Sequence, residues 1–229
     1  MLYAIAAITL LLLIYSPNLW VRYTLKRYSQ VVDDIPGTGG ELATHLVKRF
    51  ELDGVVVEIT DPMKDHFDSA ANAVRLSPEV YNGKSLTAVA VATHEVSHAI
   101  QFNRKEPVSK LRDRYLGKAF TIQRWGAGVL MMIPVVTLIF RVPHAALFTA
   151  LIGVITMLAS VLMYVAILPE EFDASFNKAL PILVEGEYID ESQVEPVRRI
   201  LKACAYTYVA AALADILRLW RWLAILRYR

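Results

Sequence analysis

The sequence contains little cysteine and little charge, and each shortage excludes a class of protein. A single cysteine, Cys204, excludes an intramolecular disulfide framework and a zinc site built from several thiolates. Charged residues make up 20% of the 229 residues and hydrophobic residues 55%, which is too apolar for a purely water-soluble fold. The formal net charge of +2 gives no indication of nucleic-acid binding. A soluble part combined with membrane segments fits this composition, and a metal site in it would need histidines and carboxylates.

Long uncharged stretches predict several membrane segments. Residues 1–21 carry no charged side chain, and their length suits an uncleaved transmembrane anchor. Residues 125–168 are interrupted only by the RVPH sequence at 141–144, which favours a transmembrane hairpin over a buried hairpin of a soluble core. Residues 200–229 are apolar but include several charged side chains. For this last stretch, a fourth span and a helix in the membrane interface are equally open.

Basic residues lie on one side of these segments. Arg22 and Lys26 follow the anchor, and Arg124 precedes the hairpin. By the positive-inside rule we expect residues 22–124 to be cytoplasmic. A hairpin that crosses the bilayer twice returns residues 169–199 to the same side. The sequence therefore predicts a multi-pass protein of the cell membrane with a cytoplasmic segment of about a hundred residues.

The cytoplasmic segment shows the pattern of an α+β fold. Residues 37–51 predict a helix that begins with Thr38 and Glu41 at capping-box spacing. The β-branched run at 55–60 and the alternating segment at 73–76 predict two strands. The second of these strands is also a candidate edge for pairing with an extended substrate. We expect a small sheet that covers a buried helix, within a chain that is mostly helical.

That buried helix carries the motif on which the functional prediction depends. It begins at Ser85, is apolar on almost every side, and contains His94-Glu95-Val96-Ser97-His98, an HExxH pattern. A spacing of four places both imidazoles on one helix face, where they can share a metal ion. Two neutral imidazoles suit zinc, and the adjacent Glu95 is placed to act as a general base on water. The alternative, two core histidines and a salt-bridged glutamate, would bury three polar groups at a cost.

A catalytic zinc ion also needs a third protein ligand and an open position for water. The best candidate is the acidic cluster at 170–173, which follows the hairpin and returns to the same membrane side as the motif. A solvated acidic start of a helix, favoured by the helix dipole, is the alternative explanation of this cluster. The residues alone leave the choice of ligand within the cluster open.

Several strings resemble the bacterial membrane neutral zinc metallopeptidases of the YugP family. They are DHFD at 65–68, VRLSPEVYNGKSL at 74–86, AVAVATHEVSHAIQ at 88–101, EFDAS at 171–175 and ACAYTYVAAAL at 203–213. The resemblance covers most of the chain, and a more distant one exists to membrane metallopeptidases of the HtpX and CAAX-protease type. It implies a zincin-like catalytic domain fused to transmembrane helices. It also implies that His94, His98 and Glu171 bind one Zn²⁺ per chain and that Glu95 is the base.

The sequence departs from related sites at the residue that supports the first histidine. Many zinc peptidases with a glutamate ligand carry an aspartate four residues after it, which accepts a hydrogen bond from that histidine. Here Ser175 occupies the position, and we expect Asp173 or Asp65 to replace the missing acid. His66 is a candidate donor to the transition state or a surface histidine, and Tyr81 a candidate oxyanion donor or a packing residue.

The sequence thus predicts an integral membrane zinc metalloendopeptidase that acts on membrane-associated protein substrates. Its expected segments are an anchor (1–21), a catalytic segment (22–124), a hairpin (125–168), a segment with the third ligand (169–199) and a C-terminal helix (200–229). The expected partners are a protein or peptide substrate and the lipid bilayer, without nucleic acid. The alternative function is a non-catalytic zinc-binding membrane scaffold or adaptor, although a structural zinc site would need no base such as Glu95.

Overall fold

A computed structural model describes residues 2–140 and 143–210, and these residues are mostly helical. They fall into two units. The unit with the HExxH pattern, here called the motif unit, comprises residues 19–111 and 168–207. The other, here called the apolar unit, comprises the described residues within 1–18, 112–167 and 208–229.

The helices and strands follow one another with short connections. In chain order they are α1 (Leu2–Arg27), α2 (Gly39–Arg49), β1 (Val56–Ile59), β2 (His66–Asp68), β3 (Ala73–Leu76), α3 (Pro78–Tyr81), α4 (Leu86–Asn103), α5 (Lys110–Met131), α6 (Ile133–Phe140), α7 (Pro143–Phe172), a π-helical segment (Asp173–Ala179), α8 (Leu180–Glu185) and α9 (Val194–Ala205). Short 3₁₀ turns lie at Pro107–Ser109 and Glu191–Gln193.

Helices α2 and α4 of the motif unit begin with the residues that the sequence predicts. Thr38 caps α2 through a capping box: its hydroxyl accepts from the Glu41 N–H at 3.2 Å, and its own N–H donates to Glu41 Oε2 at 2.7 Å. Ser85 caps α4, with its hydroxyl accepting from the Ala88 N–H at 3.1 Å. These three bonds satisfy backbone donors at the helix starts that have no partner inside the helix. The predicted positions of these two helices are confirmed.

The sheet has three strands in the order β1-β3-β2, with β1 parallel and β2 antiparallel to β3. The predicted strands at 55–60 and 73–76 are present, whereas β2 is an additional strand that the sequence does not predict. A strand of three residues with one apolar side chain, Phe67, is too short to show an alternating pattern. Because β2 covers one side of β3, the expectation that 73–76 is an edge strand is wrong. The edges of the sheet are β1 and β2.

Helix α4 forms the core of the motif unit and is buried from Leu86 to Gln101. It contacts the sheet through β2 and β3, and it also contacts α2, α9 and the π-helical segment. Val74 and Leu76 of β3 belong to the same buried apolar cluster as Val96 and Ile100 of α4. Neighbours on several sides explain why the sequence of α4 is apolar almost all round.

The described helices of the apolar unit are the first part of α1, most of α5, α6 and most of α7. Two helical stretches of the described residues, Pro107–Phe140 and Leu147–Glu185, are long and apolar enough to cross a membrane. Within the unit, α5 and α7 approach closely at Gly153, where a Cβ atom would lie 2.4 Å from the Leu130 side chain. The first predicted hairpin helix begins at Lys110, well before residue 125. Residues 141–142 of the predicted turn and 211–229 of the predicted C-terminal helix lie outside the described residues.

The acidic cluster at 170–173 lies in the middle of a helical run. Glu170 and Glu171 are in the last turn of α7, and the chain continues into the π-helical segment without a break. Both glutamates are 2% exposed. The alternative explanation of the cluster as a solvated acidic helix start is therefore wrong. A π-helical segment widens the helix locally, and such segments are frequent at functional sites.

Candidate metal centre

The two histidines of the HExxH pattern lie one turn apart on the same face of α4. Their Nε2 atoms are 3.3 Å apart, and both rings are buried. The spacing of four along a helix produces this placement directly, because residues four apart lie above one another. The predicted pair is thus brought together by local structure alone.

The third predicted residue, Glu171, reaches the same point from α7. Its Oε2 lies 3.3 Å from His94 Nε2 and 3.4 Å from His98 Nε2. His94, His98 and Glu171 form the group of possible metal ligands found among the described residues, with all three ligand atoms within 4.8 Å of one another. The structure therefore assembles the three predicted residues from two helices that are distant in sequence.

A serine determines which nitrogen of His94 carries the proton. Ser175 Oγ donates to the carbonyl oxygen of Leu201 at 3.1 Å and lies 3.2 Å from His94 Nδ1. Because the serine proton is engaged by the carbonyl, the hydroxyl oxygen accepts from Nδ1–H. His94 then presents an unprotonated Nε2 to the centre.

A glutamine does the same for His98. Gln101 Nε2 donates to the Glu170 carbonyl oxygen at 3.1 Å and to Asp173 Oδ2 at 2.8 Å. Both partners are acceptors, so the amide nitrogen must face them and Oε1 must face His98 Nδ1, which lies 2.9 Å away. Nδ1 therefore carries the proton, and His98 also presents a free Nε2 lone pair to the centre.

These groups fit a zinc ion. Two imidazole lone pairs and one carboxylate oxygen face a common point without a proton between them, an arrangement that a cation would stabilise. A tetrahedral ion with bonds of about 2.1 Å places its ligand atoms about 3.4 Å apart, as these three atoms are placed. Glu171 Oε1 is buried and has no hydrogen-bond donor in the described part of the chain. A bound cation would compensate this otherwise uncompensated oxygen.

Glu95 lies beside the cluster but does not belong to it. Its carboxylate is buried, and Oε2 accepts from the backbone N–H of Phe67 at 2.9 Å. Phe67 is the middle residue of β2, the edge strand that the sequence analysis missed. The side chain predicted as the base is thus oriented by the sheet, while its neighbour His94 faces the metal centre.

Neither acid expected to support His94 does so. Asp173 contacts Gln101, and through it supports His98 instead. Asp65 accepts from the Ser77 N–H at 2.7 Å and from the Ser77 hydroxyl at 2.9 Å. Burial raises the pKa of the Asp65 carboxyl above its ordinary value, against the effect of these two bonds. The residue at the position of the missing acid, Ser175, itself contacts the ring.

The remaining candidates have structural contacts. His66 lies on β2 with Nδ1 2.6 Å from the carbonyl oxygen of Lys64. The Tyr81 ring packs so closely on α2 that a Cβ atom at Gly40 would lie 2.9 Å from it. The packing alternative for Tyr81 therefore agrees with the structure.

Sequence reasoning missed Gln101 and the part that Ser175 plays, although both have a signal. Gln101 follows His98 by three residues on a helix, so the two side chains share a face. Ser175 follows Glu171 by four residues, at the position where related sites carry an acid. A polar residue at such a spacing from a candidate ligand indicates a hydrogen-bond partner for it.

Comparison with known proteins identifies the family of the chain. The family described as "Putative neutral zinc metallopeptidase" matches residues 3–227 of the chain. A relative from Bacillus subtilis (strain 168), named "Putative membrane protease YugP", is 32% identical over 226 residues, which cover 98% of this chain and 96% of the relative. No solved structure shows a significant match. The cofactor of the matched family is zinc, and His94, His98 and Glu171 are the residues that could hold it here. The chain belongs to this family of neutral zinc metallopeptidases.

Proposed function

We propose that the protein is an integral membrane zinc metalloendopeptidase with a gluzincin-like site, the HExxH pattern plus a glutamate. His94, His98 and Glu171 hold the ion, and Glu95 is the general base. The observation that carries the proposal is the convergence of two unprotonated Nε2 atoms and Glu171 Oε2 at 3.3 to 3.4 Å. A buried carboxylate, Glu95, lies next in sequence to the first of these ligands.

The chain's own residues prepare the site for peptide hydrolysis. When bound, zinc supplies Lewis-acid chemistry that polarises the scissile carbonyl and lowers the pKa of water. Glu95 takes the proton from the attacking water, holds it on its carboxylate and delivers it to the leaving amine. The Phe67 N–H fixes one carboxylate oxygen of Glu95, so the base enters the reaction already oriented.

The edge strand β2 is the best place for an extended substrate. β3 is covered on both sides, whereas the outer side of β2 carries no further strand among the described residues. Phe67 of β2 touches the base through its N–H, so a peptide along this edge would pass beside Glu95. Main-chain pairing with a strand edge binds peptides with little dependence on their side chains.

The membrane arrangement rests on charge and chain order. Two long apolar stretches and a relative named a membrane protease support a membrane protein, and we propose a multi-pass arrangement with residues 22–124 in the cytoplasm. The anchor 1–21, the hairpin 125–168 and residues 200–229 are its proposed membrane segments. Glu171 follows the hairpin within a few residues of chain, which favours substrates that are themselves in or at the membrane.

The test measures metal content and cleavage separately, on detergent-purified full-length protein. Wild type should contain about one zinc per chain, and Glu171→Ala should lose most of it, because one of three protein ligands is gone. Glu95→Gln should retain zinc but lose cleavage of a casein or membrane-protein substrate by about a hundredfold or more. Wild type without zinc after zinc loading would refute the site. Unchanged cleavage by Glu95→Gln would remove Glu95 from the mechanism, and zinc without any cleavage would favour the scaffold.

A further inference from the structure

A largely buried group of charged residues connects the end of α4 with the π-helical segment that follows Glu171. None of its members is a proposed zinc ligand. Lys178 of the π-helical segment binds Glu106 Oε2 at 2.8 Å and also the carboxylate of Asp173. Glu106 lies just beyond the end of α4, which carries both histidines, and Asp173 lies two residues after Glu171. The lysine side chain is 14% exposed. The ion pair thus joins the helix of the histidines to the segment that follows the glutamate.

Asp173 passes this connection on to Gln101. Its Oδ2 accepts from both Lys178 and the Gln101 amide, and its Oδ1 accepts from Asn177 Nδ2 at 2.9 Å. Three donors from two elements hold this carboxylate in one place. Gln101 is completely buried, so its amide has no water with which to exchange these bonds.

We propose that Glu106, Lys178, Asp173 and Gln101 form a positioning chain that keeps His98 able to bind zinc. The proposal rests on the function proposed above. It deepens that function by assigning a role to four residues that are not ligands. Gln101, at one end of the positioning chain, contacts His98 Nδ1. Glu106, at the other end, binds Lys178 and lies beyond the end of α4, the helix that carries both histidines.

The physical reason is the orientation of one amide. If the Gln101 side chain rotated by half a turn, its NH₂ group would face His98 Nδ1 and its oxygen would face Asp173 and the Glu170 carbonyl. The ring would then have to carry its proton on Nε2, where a metal cannot bind. Asp173 makes the rotated amide unfavourable, because the Gln101 oxygen would then face the Asp173 carboxylate. Lys178 holds the Asp173 carboxylate in this place through their ion pair.

Among the described residues, the Glu170 carboxylate also approaches this nitrogen. Its Oε1 lies 3.7 Å from His98 Nδ1, beyond hydrogen-bond distance, whereas Gln101 Oε1 lies at 2.9 Å. On the opposite side, His94 is supported by Ser175, which is backed by the Leu201 carbonyl oxygen and not by an ion pair of the described residues. The positioning chain is therefore specific to the second histidine.

The experiment compares zinc affinity and metal-free stability in detergent-purified full-length protein. Zinc affinity is measured by competition with a chromophoric chelator, the coordination by the visible spectrum of the Co²⁺-loaded protein, and stability by the melting temperature without metal. The variants are Gln101→Leu, Lys178→Met and Lys178→Arg. The control is Lys64→Met, which breaks an exposed ion pair with Asp61 in the same unit.

We expect Gln101→Leu to weaken zinc binding by about 10- to 100-fold and Lys178→Met by about 10-fold, as for other outer partners of metal ligands. Both should change the Co²⁺ spectrum, because the ring of His98 loses its fixed orientation. Lys178→Arg should recover most of the affinity, since a guanidinium can pair with both carboxylates. Lys64→Met should behave as wild type.

The outcomes distinguish a failure of the positioning chain from a failure of the proposed peptidase function. Wild-type affinity and spectrum in both Gln101→Leu and Lys178→Met would overturn the proposal, and a lower metal-free melting temperature alone would reduce the ion pair to a structural brace. If Gln101→Leu fails to fold, the Lys178 pair of variants still decides. Zinc binding that depends on Gln101 and Lys178 in a protein without peptidase activity would support the chain and refute the enzyme. Wild type that binds no zinc would refute both.

Discussion

The two units differ in where they place their large apolar side chains. In the motif unit, Leu46 of α2 and Leu76 of β3 are completely buried. In the apolar unit, Leu138 of α6 is 74% exposed and Leu162 of α7 is 70% exposed, and many other large apolar residues of these helices are also exposed. Burial from water is what stabilises the first arrangement. The second arrangement costs nothing in hydrocarbon, because lipid tails are as apolar as leucine.

The units also differ in how their elements hold together. The motif unit has a continuous apolar cluster that links the sheet to α2, α4 and α9. In the apolar unit, α5 and α7 meet where Gly153 leaves room for the Leu130 side chain. Small residues that let helices approach are typical of association in membranes, where no hydrophobic effect drives it. The exposed apolar side chains of the apolar unit are therefore what the proposed membrane arrangement requires, whereas the packing of the motif unit is that of a core buried from water.

The largest difference should appear when a leucine is truncated in each unit. Leu76→Ala removes a completely buried side chain and should lower the free energy of unfolding by about 2 to 5 kcal/mol. Leu138→Ala removes an exposed side chain and should change it by less than about 0.5 kcal/mol in detergent. Denaturant unfolding of both variants in micelles checks this. An equal loss in the two variants would show that α6 is packed in a protein core.

A charge placed on an exposed position tests the solvent of each unit. Leu162→Arg should cost about 2.5 to 3.5 kcal/mol if that face of α7 lies in lipid. Val56→Arg is the matched control, because Val56 is 52% exposed on the edge strand β1, where a charge meets water. The measurement is the fraction of each variant that stays in the membrane after alkaline extraction. Full retention of Leu162→Arg would contradict a lipid-facing α7.

A smaller difference is expected for two threonines with different tasks. Thr38→Ala removes the capping box of α2 and should cost about 1 kcal/mol. Thr121→Ala in α5 removes only a bond from the side chain to the Gly117 carbonyl of the same helix, and should cost less than about 0.5 kcal/mol. Thermal unfolding of both variants provides the comparison. If Thr121→Ala lowered the free energy of unfolding as much as Thr38→Ala, the capping box of α2 would be no more important than a side-chain bond within α5.

The sequence predicts the part of the site that is local. The HExxH spacing places two imidazoles on one face of any helix, and Ser85 marks where that helix starts. Contacts between residues that are distant along the chain have weaker signals in the sequence. Gln101 meets Asp173 across 72 residues, and Ser175 meets His94 across 81 residues. The resemblance supplied Glu171, but only the folded chain shows which polar residue supports which ring.

The same distinction explains the errors in the sheet. β1 and β3 were predicted because each has a run of β-branched or alternating residues, whereas β2 has three residues and one apolar side chain. Its position depends on pairing with β3 and on the bond from the Phe67 N–H to Glu95. Neither contact has a local pattern. A strand of this length is stabilised only by the elements that it contacts. The same contacts fix the sheet edge beside Glu95.

The last comparison lies within the loop between β1 and β2, where two acids should respond to pH with opposite signs. Burial raises the pKa of Asp65 above its ordinary value of 3.8. The hydrogen bond and charge of Lys64 lower the pKa of Asp61 below the same value. A raised pKa in the folded state adds stability that is present below pH 3.8 and lost as the pH rises through the raised value. A lowered pKa adds stability that is lost as the pH falls through the lowered value.

Asp65→Asn and Asp61→Asn separate these two contributions. The free energy of unfolding is measured from about pH 7 downward for wild type and each variant, and the difference cancels the groups that the proteins share. As the pH falls, wild type should gain stability relative to Asp65→Asn and lose it relative to Asp61→Asn. Slopes of the same sign would mean that Asp65 is as solvated as Asp61. The bond from the Ser77 N–H to Asp65, which holds the loop before β2, would then be exposed to water. Phe67 of β2 follows this loop, so its N–H would orient Glu95 less firmly.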